Sequence, residues 1–286
     1  MSEKVLIASD STTDLSPEQV AQYDIKIIPL CVTVGGKTYT DGVDINPDKI
    51  YEHYHQTGEL PKTSAINIAQ FEDFFEQYTK EGYSIVIFTI SSSMSSTFSN
   101  ARLAAEDYPN VHVVDTKNLS TGGGLLLIRA SEMAAAGYGA EDIARVCEEL
   151  APCIDASFVI DNLEFLYKGG RCTALEAFGA NLLSLKPCIS VKNGKMGVGK
   201  KYRGKFDRVL PIYIQDRVGD GSGIYPEHVF ITHAGCDPEV VEACVEQVKS
   251  MGYFENIMVS RAGCTVSSHC GRNTLGVLFI RKEPIE

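Results

Sequence analysis

The chain lacks any run of about 18 uninterrupted apolar residues, the length a helix needs to cross a bilayer, so no membrane insertion is expected. It also lacks basic charge: 26 Lys and Arg stand against 37 Asp and Glu, a net charge of −11. A surface that acidic repels phosphate backbones and anionic lipid, which argues against nucleic-acid and peripheral membrane binding. The nine cysteines are odd in number and contain no C-x-x-C pair. Neither a disulfide framework nor a zinc site follows from such spacing. Reduced thiols in apolar settings, as in Lys186-Pro187-Cys188-Ile189, are expected instead. Met1 to Asp10 lacks the basic region and long apolar core of a signal peptide, so a cytoplasmic location is expected. There is no G-x-S-x-G elbow for a serine hydrolase, no proline- or serine-rich linker and no internal repeat.

What is present is a globular composition of 286 residues, 44% hydrophobic, long enough for two lobes with a sizeable core. In the first half, strand-like and helix-like segments alternate. Val5–Ala8 reads as a strand, Ser16-Pro17-Glu18 as a helix start, and Ile25–Val34 as one β-branched strand closed by Gly35-Gly36. The polar stretch from Tyr39 leads to a helix through Tyr54. A helix over Ile68–Lys80, a strand over Tyr83–Ile90, a helix through Asp107, a strand over Val111–Val114 and a helix with Leu125–Ile128 follow. This alternation predicts an α/β fold with a mainly parallel sheet between helices. After Gly139 come helices over Glu141–Leu150, Leu163–Lys168, Ala174–Leu185 and Pro238–Met251, and strands over Phe158–Ile160, Val229–His233, Asn256–Val259 and Leu275–Ile280. Cys188–Val191, Asn193-Gly194 and Lys195–Tyr202 read as a β-hairpin. Two closely packed lobes are expected, residues 1–155 and 156–286, the second a mixed α/β lobe.

Gly194 to Lys200 matches most of a phosphate-loop pattern, but Lys201 stands where the magnesium-binding hydroxyl belongs, and Asn193-Gly194 is itself a hairpin signal. Asp10 ends an apolar strand, where phosphotransferases place a nucleophile. The second carboxylate two residues on is replaced by Thr12, and a turn-stabilising role suits Asp10 better. An Asp10-dependent phosphatase or phosphotransferase stands as the alternative function. Ser91-Ser92-Ser93-Met94-Ser95-Ser96-Thr97 is more telling. It joins a strand to a helix at the carboxyl end of a parallel sheet, where open α/β folds bind ligands, and hydroxyls at a helix start can donate to an anion. Helix capping accounts for one such serine and not for their density. Thr63-Ser64 is a second hydroxyl pair ahead of a helix, where capping is the plain alternative. His269 precedes the last strand, in a position where a lone histidine is more often structural.

Together these segments resemble the DegV family of bacterial fatty-acid-binding proteins. The likeness covers Asp10 to Asp14, Thr63-Ser64, and Ser91 to Phe98, similar to the family's S-S-x-L-S-G-T-Y. It extends to Leu166 to Arg171, Lys186-Pro187 and His269. Ser96 stands where the family usually has glycine, and Gly271-Arg272-Asn273 where it has a G-P-G turn. The resemblance implies a carrier, not an enzyme, that holds one long-chain fatty acid such as palmitate, stearate or oleate between two α/β lobes, with no other cofactor. The head-group candidates are Thr63, Ser64, Ser95, Ser96 and His269. Arg171 and Arg203 are expected to face a partner or phosphate. That partner would be a fatty acid kinase, which turns the presented carboxylate into an acyl phosphate for lipid synthesis.

Overall fold

The structure, a computed structural model, describes residues 3–172 and 185–285. β1 (Val5–Asp10) leads through a 3-10 turn to α1 (Pro17–Gln22), which Ser16 and Gln19 cap reciprocally as the Ser-Pro-Glu signal predicts. Next come β2 (Ile25–Ile28), β3 (Cys31–Val34), β4 (Lys37–Thr40), α2 (Pro47–Thr57) and β5 (Lys62–Ser64). α3 (Ile68–Lys80), β6 (Ser84–Thr89), α4 (Thr97–Ala104), β7 (Val111–Asp115), α5 (Thr121–Ala135) and α6 (Ala140–Leu150) complete the first half. The second half contains β8 (Ile154–Ile160), α7 (Glu164–Gly169), β9 (Leu185–Lys192), β10 (Lys195–Arg203) and α8 (Phe206–Val218). β11 (Ile224–Ala234), α9 (Pro238–Met251), β12 (Asn256–Arg261), α10 (Cys264–Cys270) and β13 (Thr274–Arg281) follow.

The first sheet is parallel throughout, in the order β2-β1-β6-β7. Its strands alternate faces as the pleat requires. Leu6, Ala8, Ile85 and Ile87 pack on Phe71 and Phe75 of α3, while Ile7, Val86 and Phe88 face α5 and α6. The second sheet is mixed, in the order β10-β9-β8-β13-β11-β12, and α8 and α9 cover its outer face. α5 lies between the two sheets. That position explains why Leu125, Leu126, Leu127 and Ile128 are all buried, since a helix apolar on every side must be enclosed on every side. Among the described residues no helix is long and apolar enough to cross a membrane.

The structure differs from these expectations at two places, and a third expectation lies almost wholly outside the described residues. The single strand over Ile25–Val34 is two strands in different sheets. Pro29 has no N–H for a ladder, and Leu30 N donates instead to Ser11 Oγ at 3.1 Å. β3 then turns through Gly35-Gly36, both at positive φ, into the unforeseen β4. The helix expected over Ala174–Leu185 lies outside the described residues except at Leu185, which opens β9. α8 has no counterpart in the sequence reading: Pro211 interrupts its pattern, and burial of Leu210, Tyr213 and Ile214 offsets the lost hydrogen bond. The Asn193-Gly194 hairpin forms as predicted, with φ of 48° and 79° at its two turn residues.

Candidate functional site

β6 ends at Thr89, and the serine run follows at the carboxyl end of the parallel sheet. Its hydroxyls divide into two groups. Ser91 Oγ donates to Gly194 O (2.7 Å) at the hairpin tip, and Ser92 Oγ donates to Asp115 at the end of β7 (2.5 Å). These two fasten the loop, and through the hairpin they bring Met196 of β10 over the sheet end. Ser95 and Ser96 instead line a cavity of about 260 Å³, close to the lower end of small-molecule sites at roughly 300 Å³. Ser95 Oγ accepts from Thr97 N (3.2 Å) and lies 2.9 Å from Thr97 Oγ1, so Ser95 steadies the start of α4. Ser96 occupies the cap position yet makes no side-chain cap bond, and it is exposed.

Most of the remaining wall is apolar: Leu30, Ile90, Met94, Leu119, Leu166 and Val266. A smaller void of about 30 Å³ continues behind Leu119, Val266 and Cys270, between Ser120, just ahead of α5, and the inner face of the second sheet at Phe158 and Leu278. The polar groups that line the main cavity are Thr63, Ser95, Ser96, Arg171, Thr265 and His269. They come from four separate stretches of chain.

Thr63 is not a helix cap. It sits on β5, opposite Val32 of β3, while Asn67 and Gln70 cap α3. Its Oγ1 lies 2.9 Å from His269 Nε2 on α10. Strand alternation sends Ser64 to the opposite face, where it is exposed and outside the cavity lining. His269, ahead of the last strand, lies on the seven-residue helix α10. Burial and, to a smaller degree, the positive charge of Arg171 lower its pKa to about 4, so the ring is neutral at pH 7. His269 Nδ1 has no hydrogen-bond partner among the described residues. Gly169 packs so closely that a Cβ there would stand 2.7 Å from that nitrogen.

Arg171 is exposed at the cavity rim, and its Nη1 donates to Gly169 O at 2.8 Å. Of the acids near it in sequence, Glu164 pairs with Lys168 at 2.6 Å, and Glu176 lies outside the described residues. Arg203 is exposed at the end of β10 and lies outside the cavity lining. Arg272 turns away from the site: its Nε donates to Gly235 O at 3.1 Å, and Asn273 takes the positive φ that the turn needs. Thr265 was missed by the sequence reading because α10 was missed; its spacing of four from His269 was the available signal.

Asp10 is fully buried, with both oxygens engaged. Thr12 N (2.9 Å), Thr12 Oγ1 (2.5 Å) and Ile90 N (2.7 Å) all donate to it, and burial raises its pKa. It anchors the turn after β1 to the end of β6, with no free oxygen turned towards the cavity. Cys264 Sγ donates to Ile45 O, and among the described residues no three His, Cys, Asp or Glu side chains converge on a metal site. All nine cysteines are free thiols, eight of them buried.

The family model for uncharacterised proteins of the DegV family, COG1307, matches residues 4–282. A DegV domain-containing protein of Clostridium acetobutylicum is 33% identical, with 98% of this chain and 99% of that one covered. A DegV family protein of Thermus thermophilus, described by its fatty acid binding, superposes with a TM-score of 0.90 at 27% identity. That match covers 97% of this chain and 99% of the other. A stearic-acid-binding protein of Eubacterium ventriosum superposes with a TM-score of 0.83 at 27% identity, over 96% and 98% of the two chains. The chain belongs to the DegV family.

Proposed function

We propose that this protein is a cytoplasmic carrier that holds one long-chain fatty acid and presents its carboxylate to a fatty acid kinase. The observation that carries the reading is an apolar cavity with hydroxyls and a neutral imidazole gathered in its wall. The acyl tail lies along Leu30, Met94, Leu119 and Val266, and extends towards the void behind Cys270. Burying about 14 methylenes at roughly 0.8 kcal/mol each gives about 11 kcal/mol gross. Lost translational and rotational freedom removes several of these. The tail therefore supplies most of the affinity, and the head-group contacts can be modest.

Thr63 and Ser95 donate to the carboxylate. When His269 Nε2 carries the ring proton it donates to Thr63 Oγ1, which frees the threonine proton for the ligand. Neutral donors leave the carboxylate reactive, where a bidentate arginine would clamp it. Arg171 at the rim, with Arg203, faces the kinase and the phosphate being transferred; the planar guanidinium suits that charge. Mass spectrometry of an organic extract from the purified protein tests the carrier reading. A fatty acid near one equivalent is expected. Its absence, with no binding of added palmitate or oleate, would overturn the reading.

A further inference from the structure

α10 brings a second polar side chain to the cavity. Thr265 and His269 lie one helical turn apart and share a face, and both line the cavity. Thr265 is 5% exposed, and its Oγ1 is shut off from solvent without a hydrogen-bond partner among the described residues. Neighbouring hydroxyls are engaged: Ser267 donates to Ala262 O, Ser268 to Cys264 O, and Thr63 meets His269. A helical threonine often donates to the carbonyl four residues back. For Thr265, second in its helix, that residue is Arg261, which belongs to β12.

The backbone here is held firmly from the first half of the chain. Cys264 N and Thr265 N donate to Asp41 at 2.8 and 3.0 Å, and Gly263 N donates to Asp14 at 2.8 Å. The first turn of α10 is thus pinned in place, with Thr265 among the residues that line the cavity. A buried hydroxyl without a partner is costly, and in native proteins it calls for a specific explanation such as a functional role.

We propose that Thr265 is a third hydroxyl donor to the bound carboxylate, beside Thr63 and Ser95. This inference rests on the fatty-acid reading of the cavity. A carboxylate offers about four lone-pair sites, enough for three hydroxyl donors. The head group then joins the first half of the chain, which supplies Thr63 and Ser95, to the second, which supplies Thr265.

Thr265→Val keeps the volume and branching and removes only the hydroxyl. Delipidated parent and variant are titrated with palmitate and with methyl palmitate, and melted with and without palmitate. The variant should bind palmitate about tenfold more weakly, the loss expected for one hydrogen bond to a charged group. Its affinity for the uncharged ester should stay close to that of the parent. The empty variant should melt no lower than the empty parent, because a methyl replaces an unsatisfied hydroxyl, while palmitate should raise its Tm by less. Unchanged palmitate affinity, equal loss for both ligands, or a lower Tm of the empty variant would each overturn the assignment. A parent that binds no palmitate would overturn the fatty-acid reading itself, and the assignment with it.

Discussion

Thr63 Oγ1 and His269 Nε2 stand 2.9 Å apart, although 206 positions separate them in the chain. The contact joins β5 of the first half to α10 of the second, and it is a contact between neutral groups because burial keeps His269 unprotonated. It orients the threonine hydroxyl without placing a fixed charge against the ligand.

Thr63→Ala and Ser95→Ala should each weaken the hold on a fatty acid without unfolding the protein. Each removes a hydrogen bond to a charged group, about 1.5–3 kcal/mol. Ser95→Ala also loses the bond from Thr97 N, about 1 kcal/mol of stability. Titration with a fluorescent fatty acid measures the first effect and thermal melting the second. Parent-like affinity in both variants would mean that the head group lies elsewhere.

Gly169→Ala should disturb the same site from outside. The added Cβ would meet the His269 ring at 2.7 Å, a rigid group rather than the end of a flexible chain. Overpacking of this kind costs about 1–3 kcal/mol. The variant should melt lower and bind fatty acid more weakly, with Thr63→Ala adding little further loss of affinity. Full additivity of the two affinity losses would show that Gly169 does not act through His269.

Stability should fall as pH rises from 6.5 to 8. His269, lowered from 6.5 to about 4 by burial, takes up a proton on unfolding between those values, so its share of stability grows with pH and is complete above 6.5. Asp14, raised from 3.8 to about 8 by burial, releases a proton on unfolding between those values, so its effect is a loss of stability as pH rises. Below 6.5 the two oppose each other; above it Asp14 acts without His269. Thermal melts across pH 6.5 to 8.5 should show a declining Tm, with a shallower slope in Asp14→Asn. A flat parental profile would contradict this.

Arg171→Ala should spare holding and impair handover. The side chain is exposed and its one described bond is to Gly169 O, so fatty acid content and Tm should stay near those of the parent. Acyl phosphate formation with a fatty acid kinase and ATP should fall sharply. Normal phosphorylation by the variant, or loss of lipid before kinase is added, would count against this role.

Local physics made part of the fold legible in the sequence. α3 was readable end to end because Phe71 and Phe75 recur at helical spacing and Asn67 offers a cap. α9 was bounded by Pro238 at its start and Gly252, at a φ of 71°, just past its end. Asn193-Gly194 specified its own hairpin through two residues that tolerate positive φ. The hydroxyl density of residues 91–97 marked the end of the parallel sheet at which Ser95 and Ser96 line the cavity.

Tertiary contacts decided the rest. β5 is three residues long and exists as a strand only because β3 pairs with it; that pairing turns Thr63 to the cavity and Ser64 away from it. Which serines fasten and which face the cavity depends on where Gly194 and Asp115 arrive, 103 and 23 positions from their partners. α10 has no strong periodicity of its own. Its first turn is held by Asp14 and Asp41, more than 200 positions away in the chain. The sequence alone therefore determined most of the elements, the cavity end of the parallel sheet and most of the candidate residues. The meeting of Thr63, Thr265 and His269 around one cavity came only with the packed chain, because no local pattern specifies the direction of a side chain set by partners so distant.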